Sequence, residues 1–235
     1  MKQDPRDIQA VILAAGKGTR MLPLTETRPK PMQEVGGKNL IEWKLEALPL
    51  QVSDIVLVIG HQGEQIREYF GDTWKGKPIR YAIQHELNGT AGALWAARDL
   101  LCGRFLVMMG DDLYAREDIL RMLEQDFAIG AQEIRQKEVG GEMIRDPNGF
   151  FIGINEPRHF VESGFMNTGL YMLSNELFNH DPVPIGGSST EYGLPHTLAM
   201  LAKETPVVML PMTRWVQITT PDDLQKAEEF VSMSL

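Results

Sequence analysis

Apolar residues in this chain gather in short runs separated by amphipathic stretches. Residues 8–13 (IQAVIL) form a short apolar run of the kind expected for a strand buried on both faces, and the apolar runs 55–59, 79–83 and 105–109 read as further strands. Among them, 40–48, 64–70, 91–101 and 117–123 repeat apolar positions at helical spacing. This alternation predicts an α/β fold: a Rossmann-like, mostly parallel mixed sheet with helices on both faces. Ligands bind such sheets beyond the carboxyl ends of the strands. The segments leaving those ends here are the one after residue 13, the one around Gln84 and the turn Gly110-Asp111-Asp112. The second half reads differently. Asp146-Pro147-Asn148-Gly149 is a turn, 166–173 (MNTGLYML) a strand, and 190–203 a helix interrupted near Pro195. That pattern predicts a smaller α+β insertion on the same sheet, and with no Ser- or Pro-rich linker the expectation is one domain over 1–235.

The first strand runs directly into LAAGKGTRMLPLTETRPKPM, residues 13–32. Gly16 and Gly18 allow a tight turn with exposed backbone N–H groups, which can cradle phosphate oxygens. Lys17, Arg20, Arg28 and Lys30 add full charges, and Pro23, Pro29 and Pro31 stiffen the segment. A polyphosphate suits such a loop; a solvated basic turn is the competing reading. The dinucleotide fingerprint G-x-G-x-x-G fails because position 21 is Met21. A near-match to the P-loop at 71–77 (GDTWKGK) fails as well, since Pro78 stands where a Ser or Thr is needed.

Composition narrows the partners. The net charge of −9 makes the basic loop a local feature of an acidic protein, which excludes nucleic-acid binding through bulk electrostatics. Cys102 is alone, so an internal disulfide framework is excluded, and no apolar run reaches the length of a signal core or membrane span; a cytoplasmic protein without membrane attachment is expected. His61, His85, His159, His180 and His196 lack ligand spacing, so any metal is expected to be magnesium on carboxylates.

Taken with its flanks, the 13–32 segment resembles the signature of the sugar-1-phosphate nucleotidyltransferases, L-A-A-G-x-G-T-R-x-x-P-L-T followed by P-K-P. The likeness is strongest to the glucose-1-phosphate uridylyl- and thymidylyltransferase branch, and later motifs in the same order extend it over nearly all of the chain. It implies the nucleotide-diphospho-sugar transferase fold, with 1–125 as nucleotide-binding half and 126–235 as sugar-binding half with a C-terminal helix. It also implies an enzyme that joins a sugar 1-phosphate to UTP or dTTP and releases pyrophosphate. Carried onto this chain, Leu13, Ala14, Ala15, Gly16, Gly18 and Thr19 contact the nucleotide, Arg20 stabilises triphosphate charge and Lys30 holds the two reacting phosphates. Gln84, Gly89 and Thr90 belong to the base end; an amide offers a donor and an acceptor to an imide edge, and Thr90 is expected to cap the helix that follows. Asp111, at the end of the strand FLVMM, takes the magnesium position.

On the sugar side the resemblance implies Gly141, Glu156, Asn167 and Gly169, with Glu191 and Tyr192 as further candidates for the wall. Two departures stand out. The usual Glu-Lys-Pro is Glu156-Pro157-Arg158, which leaves Arg158 as the substitute for the phosphate-binding lysine. The usual W-x-D-x-G-T-P is Trp215-Val216-Gln217-Ile218-Thr219-Thr220-Pro221, with Gln217 in place of the second magnesium-binding aspartate. The alternatives that stay open are a cytidylyl- or guanylyltransferase on the same fold, a choline-phosphate-type transferase, and a catalytically weak protein that binds or senses nucleotide sugars. Homo-oligomer formation is also open.

Overall fold

The computed structural model describes residues 8–134, 138–139, 141–155, 160–161, 163–186 and 189–233. A ten-stranded sheet organises them. Its strands are β1 (Ile8–Ala14), β2 (Val52–Ile59), β3 (Thr73–Trp74), β4 (Lys77–Ile83), β5 (Arg104–Met109), β6 (Ala128–Ile134), β7 (Glu142–Arg145), β8 (Phe151–Asn155), β9 (Gly164–Ser174) and β10 (Val208–Pro211). The spatial order is β8-β7-β9-β5-β1-β2-β4-β3, with β6 pairing β9 and β10. β4, β2, β1 and β5 are mutually parallel, as the alternating pattern predicts. β9 then adds antiparallel to β5, so the two halves of the chain share one sheet.

Side chains alternate across this sheet. Val11, Leu13, Val56 and Val58 face one apolar layer, and Ala10, Ile12, Ile55 and Leu57 face the other. Helices α3 (Gly89–Ala96) and α5 (Leu194–Leu201) cover the first layer; α1 (Leu40–Ala47), α2 (Gly63–Phe70) and α4 (Arg116–Leu123) cover the second. α1 begins with a reciprocal capping box between Asn39 and Glu42. A last helix, α6 (Asp223–Ser232), packs Ala227 and Val231 against Met21, Leu40 and Ile218.

Two sequence expectations need correction. The predicted helix 91–101 ends at Ala96 and gives way to a short 3₁₀ turn, Arg98–Leu100, before the extended Leu101. The helix expected at 190–203 starts only at Leu194, because Pro195 lies in its first turn, where a missing N–H costs nothing, and does not interrupt it. Residues before it bond elsewhere: the Tyr192 N–H donates to the Asn88 carbonyl at 2.7 Å, and the Ala91 N–H to the Tyr192 carbonyl at 3.0 Å. Among the described residues no helix is long and apolar enough to cross a membrane.

Candidate active site

The carboxyl ends of β1 and β5 meet at Gly110. Its N–H donates to the Leu13 carbonyl at 2.9 Å, and a Cβ on Gly110 would stand 2.6 Å from that same oxygen. Only glycine permits this approach, which brings the basic loop and the aspartate turn side by side. A cleft of about 570 Å³ opens above them. Leu13, Ala14, Ala15, Gly16, Gly18, Thr19, Arg20, Lys30, Gln84, Gly89, Thr90 and Asp111 all line it, so the chain brings the expected nucleotide-side residues to one place. Lys17, Met109, Glu191 and Thr219 complete much of the wall.

The loop is anchored by Met21, the residue that breaks the dinucleotide fingerprint. It closes a 3₁₀ turn, Thr19–Met21, and is fully buried with Val35, Leu40 and Leu113. Gly18 adopts φ +64°, and a Cβ there would lie 2.8 Å from Lys30 Cβ. The glycine therefore makes room for the lysine stem. Lys30 is buried along its length, and its ammonium donates to Asp111 Oδ2 at 2.5 Å. A cation and a carboxylate thus face each other at the base of the cleft.

The two neighbouring aspartates have separate fates. Asp111 is partly exposed in the cleft. Asp112 is buried, accepting from the Trp215 indole N–H at 3.1 Å and the Tyr114 hydroxyl at 3.5 Å through Oδ2, while Oδ1 has no hydrogen-bond partner among the described residues. Burial, then the adjacent Asp111 charge, raises the Asp112 carboxyl well above the ordinary range. Below the turn, Lys44 is buried and donates to the Gly110 carbonyl at 2.9 Å and the Leu40 carbonyl at 3.0 Å. Burial lowers its pKa to about 7, against the pull of Asp112 and Asp111. Sequence reasoning missed Lys44. The signal was available, because it occupies an apolar-face position of α1, between Leu40 and Ile41 on one side and Leu45 on the other.

Where the sequence resemblance leads one to expect the base, Gln84 is buried to 7 % exposure yet borders the cleft. Its Nε2 donates to Asn88 Oδ1 at 3.1 Å and to the Gly89 carbonyl at 3.2 Å. Gly89 has φ +95°. Thr90 does not cap α3, whose N-cap residue is Asn88; it lies in the first turn, and its Oγ1 accepts instead from the Leu194 N–H at 2.9 Å, capping α5.

The residues expected on the sugar side are less convergent. Asn167 turns its amide inward, donating to the Tyr171 hydroxyl at 2.8 Å and accepting from the Gly169 N–H at 2.9 Å. Gly169, with φ +72°, lies against Met109, whose Cγ would be 2.3 Å from an added Cβ. Gly141 immediately precedes β7. The described lining of the cleft includes none of Gly141, Asn167 and Gly169, although Met109 stands between Gly169 and the cleft. Glu156 and Arg158 lie outside the described residues.

Gln217 ends a short strand, Trp215–Gln217, paired antiparallel with Asp112–Tyr114. It is exposed to an adjoining cavity of about 810 Å³, also bordered by Trp215, Gln132 and Glu133; Arg20 and Thr219 border both spaces. Among the described non-glycine residues only Gln62 and Lys75 have positive φ, so Thr219 stands in ordinary backbone. Partial burial of Asp223 opposes its ionisation, but hydrogen bonds from Thr220, Lys226 and Thr219 hold its pKa at about 2 and fix this loop. The described residues contain no cluster of three or more acidic, histidine or cysteine groups suited to a metal. Asp111 alone fits magnesium only as the ion is carried by a polyphosphate, with one carboxylate, phosphate oxygens and waters completing the shell.

Comparison with known proteins bears on the family and the fold. The family model for nucleotidyl transferases matches residues 9–234. The UTP–glucose-1-phosphate uridylyltransferase AglF of Haloferax volcanii is 30% identical over 232 residues, covering 94% of this chain and 96% of that protein. The bifunctional protein GlmU of Methanocaldococcus jannaschii is 29% identical over 225 residues; these are 95% of this chain but 54% of GlmU, so the chain spans about half of that relative's length. A crystal structure of a candidate glucose-1-phosphate thymidylyltransferase from Bacillus anthracis, in complex with sucrose, superposes with a TM-score of 0.79 over 95% of this chain and 94% of that one. At 22% identity that likeness bears on the fold.

Proposed function

This chain belongs to the sugar-1-phosphate nucleotidyl transferase family, and from that premise we propose that it couples a sugar 1-phosphate to UTP or dTTP. In the reaction, a phosphate oxygen of the sugar 1-phosphate attacks the α-phosphorus in line. The bond from that phosphorus to the bridging oxygen breaks, and pyrophosphate leaves with the electron pair. No general base is required, since the attacking phosphate is already ionised at neutral pH. Catalysis then rests on positioning and charge.

The observation that carries this reading is the Lys30–Asp111 pair under the glycine turn. Lys30 lies where a cation can hold the attacking and attacked phosphates together, and its buried stem limits its motion. Arg20, at the cleft rim, suits charge on the triphosphate, and the backbone N–H groups around Gly16 and Gly18 suit its oxygens. Asp111, with the Gln217 amide as a neighbouring candidate, would hold magnesium, which supplies neutralising charge to the phosphates. Gln84, Gly89 and Thr90 form the base end, and Glu191, next to the Tyr192 that bonds Asn88, supports hydroxyl recognition.

The test is pyrophosphate release over a matrix of UTP, dTTP, CTP, GTP and ATP against several sugar 1-phosphates. Release with UTP or dTTP ahead of the others is expected. Preference for ATP, CTP or GTP would overturn the substrate assignment.

A further inference from the structure

We propose that Asn88 is a positioning residue that fixes the Gln84 amide in one orientation, so that the base end of the cleft reads a ring N–H and refuses a bare ring nitrogen. The inference rests on the reading of Gln84 as base-facing. A glutamine amide free to turn would offer a ligand its carbonyl or its NH₂ equally well. Here the choice is removed. The Gly89 carbonyl can only accept, so the group that faces it at 3.2 Å is the NH₂. The second amide hydrogen goes to Asn88 Oδ1 at 3.1 Å. Both donors are used within the protein, and Oε1 alone is left for a ligand. Turning the amide over would set Oε1 against the Gly89 carbonyl, which cannot donate, and would give up the bond to Asn88 Oδ1.

Asn88 is itself held from three sides. Its N–H donates to the Glu86 carbonyl at 2.8 Å, and its carbonyl accepts from the Tyr192 N–H at 2.7 Å. Its side chain lies over Gly92, where a Cβ would stand 1.8 Å from Oδ1. Gly92 is therefore the space that Asn88 occupies. Neither residue is needed to touch substrate; both act through Gln84. The consequence is selection by one atom. Uracil and thymine present N3–H, and guanine presents N1–H, each a donor to Oε1. Cytosine N3 and adenine N1 present a lone pair to the same oxygen, which is repulsive and leaves a buried acceptor unpaired.

Equilibrium binding of UTP, dTTP, CTP and N3-methyl-UTP with magnesium, together with kcat/KM from pyrophosphate release, tests this. Wild type is expected to bind UTP at least about tenfold more tightly than CTP or N3-methyl-UTP. Asn88→Leu, which keeps the bulk and removes the acceptor, is expected to cut the UTP-over-CTP ratio on the order of tenfold through KM, with kcat for UTP little changed. Gly92→Ala, which displaces Asn88 without altering it, is expected to do the same, and Asn88→Asp, which keeps an acceptor, to retain the ratio. Thermal unfolding of each variant confirms that it folds. If wild type binds N3-methyl-UTP as well as UTP, or binds neither UTP nor dTTP, Gln84 does not read the base and the underlying reading falls with the inference. If wild type rejects N3-methyl-UTP while folded Asn88→Leu and Gly92→Ala keep the full UTP-over-CTP ratio, the role of Asn88 is overturned and the base reading stands.

Discussion

Replacing Gly89 with alanine perturbs stability and nucleotide affinity through one contact. At φ +95° the residue occupies backbone space that costs an L-amino acid on the order of 1–2 kcal/mol. The new Cβ would also stand 2.4 Å from the Tyr192 carbonyl oxygen and 2.7 Å from its nitrogen, about 1 Å inside ordinary contact. Both obstacles are backbone, so no rotamer change relieves them. Displacing Tyr192 stretches two hydrogen bonds, Tyr192 N–H to Asn88 O and Ala91 N–H to Tyr192 O, each contributing about 1 kcal/mol. Together these terms come to roughly 3–4 kcal/mol, equivalent to a fall of about 10 °C in Tm for a chain of this size. Because the Gly89 carbonyl also holds Gln84, KM for the nucleotide is expected to rise more than kcat falls. Scanning calorimetry and nucleotide titration of the pyrophosphate-release rate measure the two effects. A Tm within ~2 °C of wild type and an unchanged nucleotide KM would refute the reasoning, since that Tm change is under about 1 kcal/mol.

Lys30→Ala is expected to lower kcat/KM by on the order of 10²-fold or more, as for loss of one charged transition-state contact, and Arg20→Ala similarly; near-normal turnover in both folded variants would reduce the loop to a surface turn. Asp111→Asn should nearly abolish turnover, whereas Gln217→Asp should lower the magnesium concentration at half-maximal rate; an unshifted magnesium titration would remove position 217 from the metal's surroundings. Lys44 supplies a pH prediction. Its folded pKa of about 7 lies below the ordinary 10.5, so between these values the unfolded chain binds the extra proton and the stability contribution of Lys44 rises with pH. Denaturant unfolding of wild type against Lys44→Met should therefore shift in favour of wild type from pH 7 to pH 10, and a pH-independent difference would contradict a depressed lysine.

Much of the fold is written in local patterns. The runs that become β1, β2 and β5 are apolar because both faces of each strand are covered, and such runs are visible without knowledge of the covering helices. The basic loop is equally local, since glycines and charges within twenty residues define it. Helix ends were less legible. Whether Pro195 interrupts or begins a helix depends on where the preceding residues find their hydrogen bonds, and Tyr192 finds them on Asn88 and Ala91, a hundred positions away. The same holds for Thr90, which resembles an N-cap in sequence and serves another helix in space.

The amino-acid sequence by itself determined the sheet-and-helix alternation, the acidic protein with one basic loop, and the residue types that gather along the cleft. Periodicity and composition suffice for these, because burial of a strand or solvation of a charge is a property of a short segment. Only the tertiary structure decided that Asp112 is buried against Trp215 beside the cleft-facing Asp111, that Lys44 lies buried beneath them, that the Asn167 amide bonds the Tyr171 hydroxyl, and that the Gln84 NH₂ is used within the protein. For Asp112 and Lys44 the deciding partners, Trp215 and Gly110, are far apart in the chain, whereas Asn167 and Gln84 bond to residues two to five positions away whose placement the fold sets. The orientation of a polar side chain is fixed by the donors and acceptors that folding brings around it, and a linear sequence does not contain those distances.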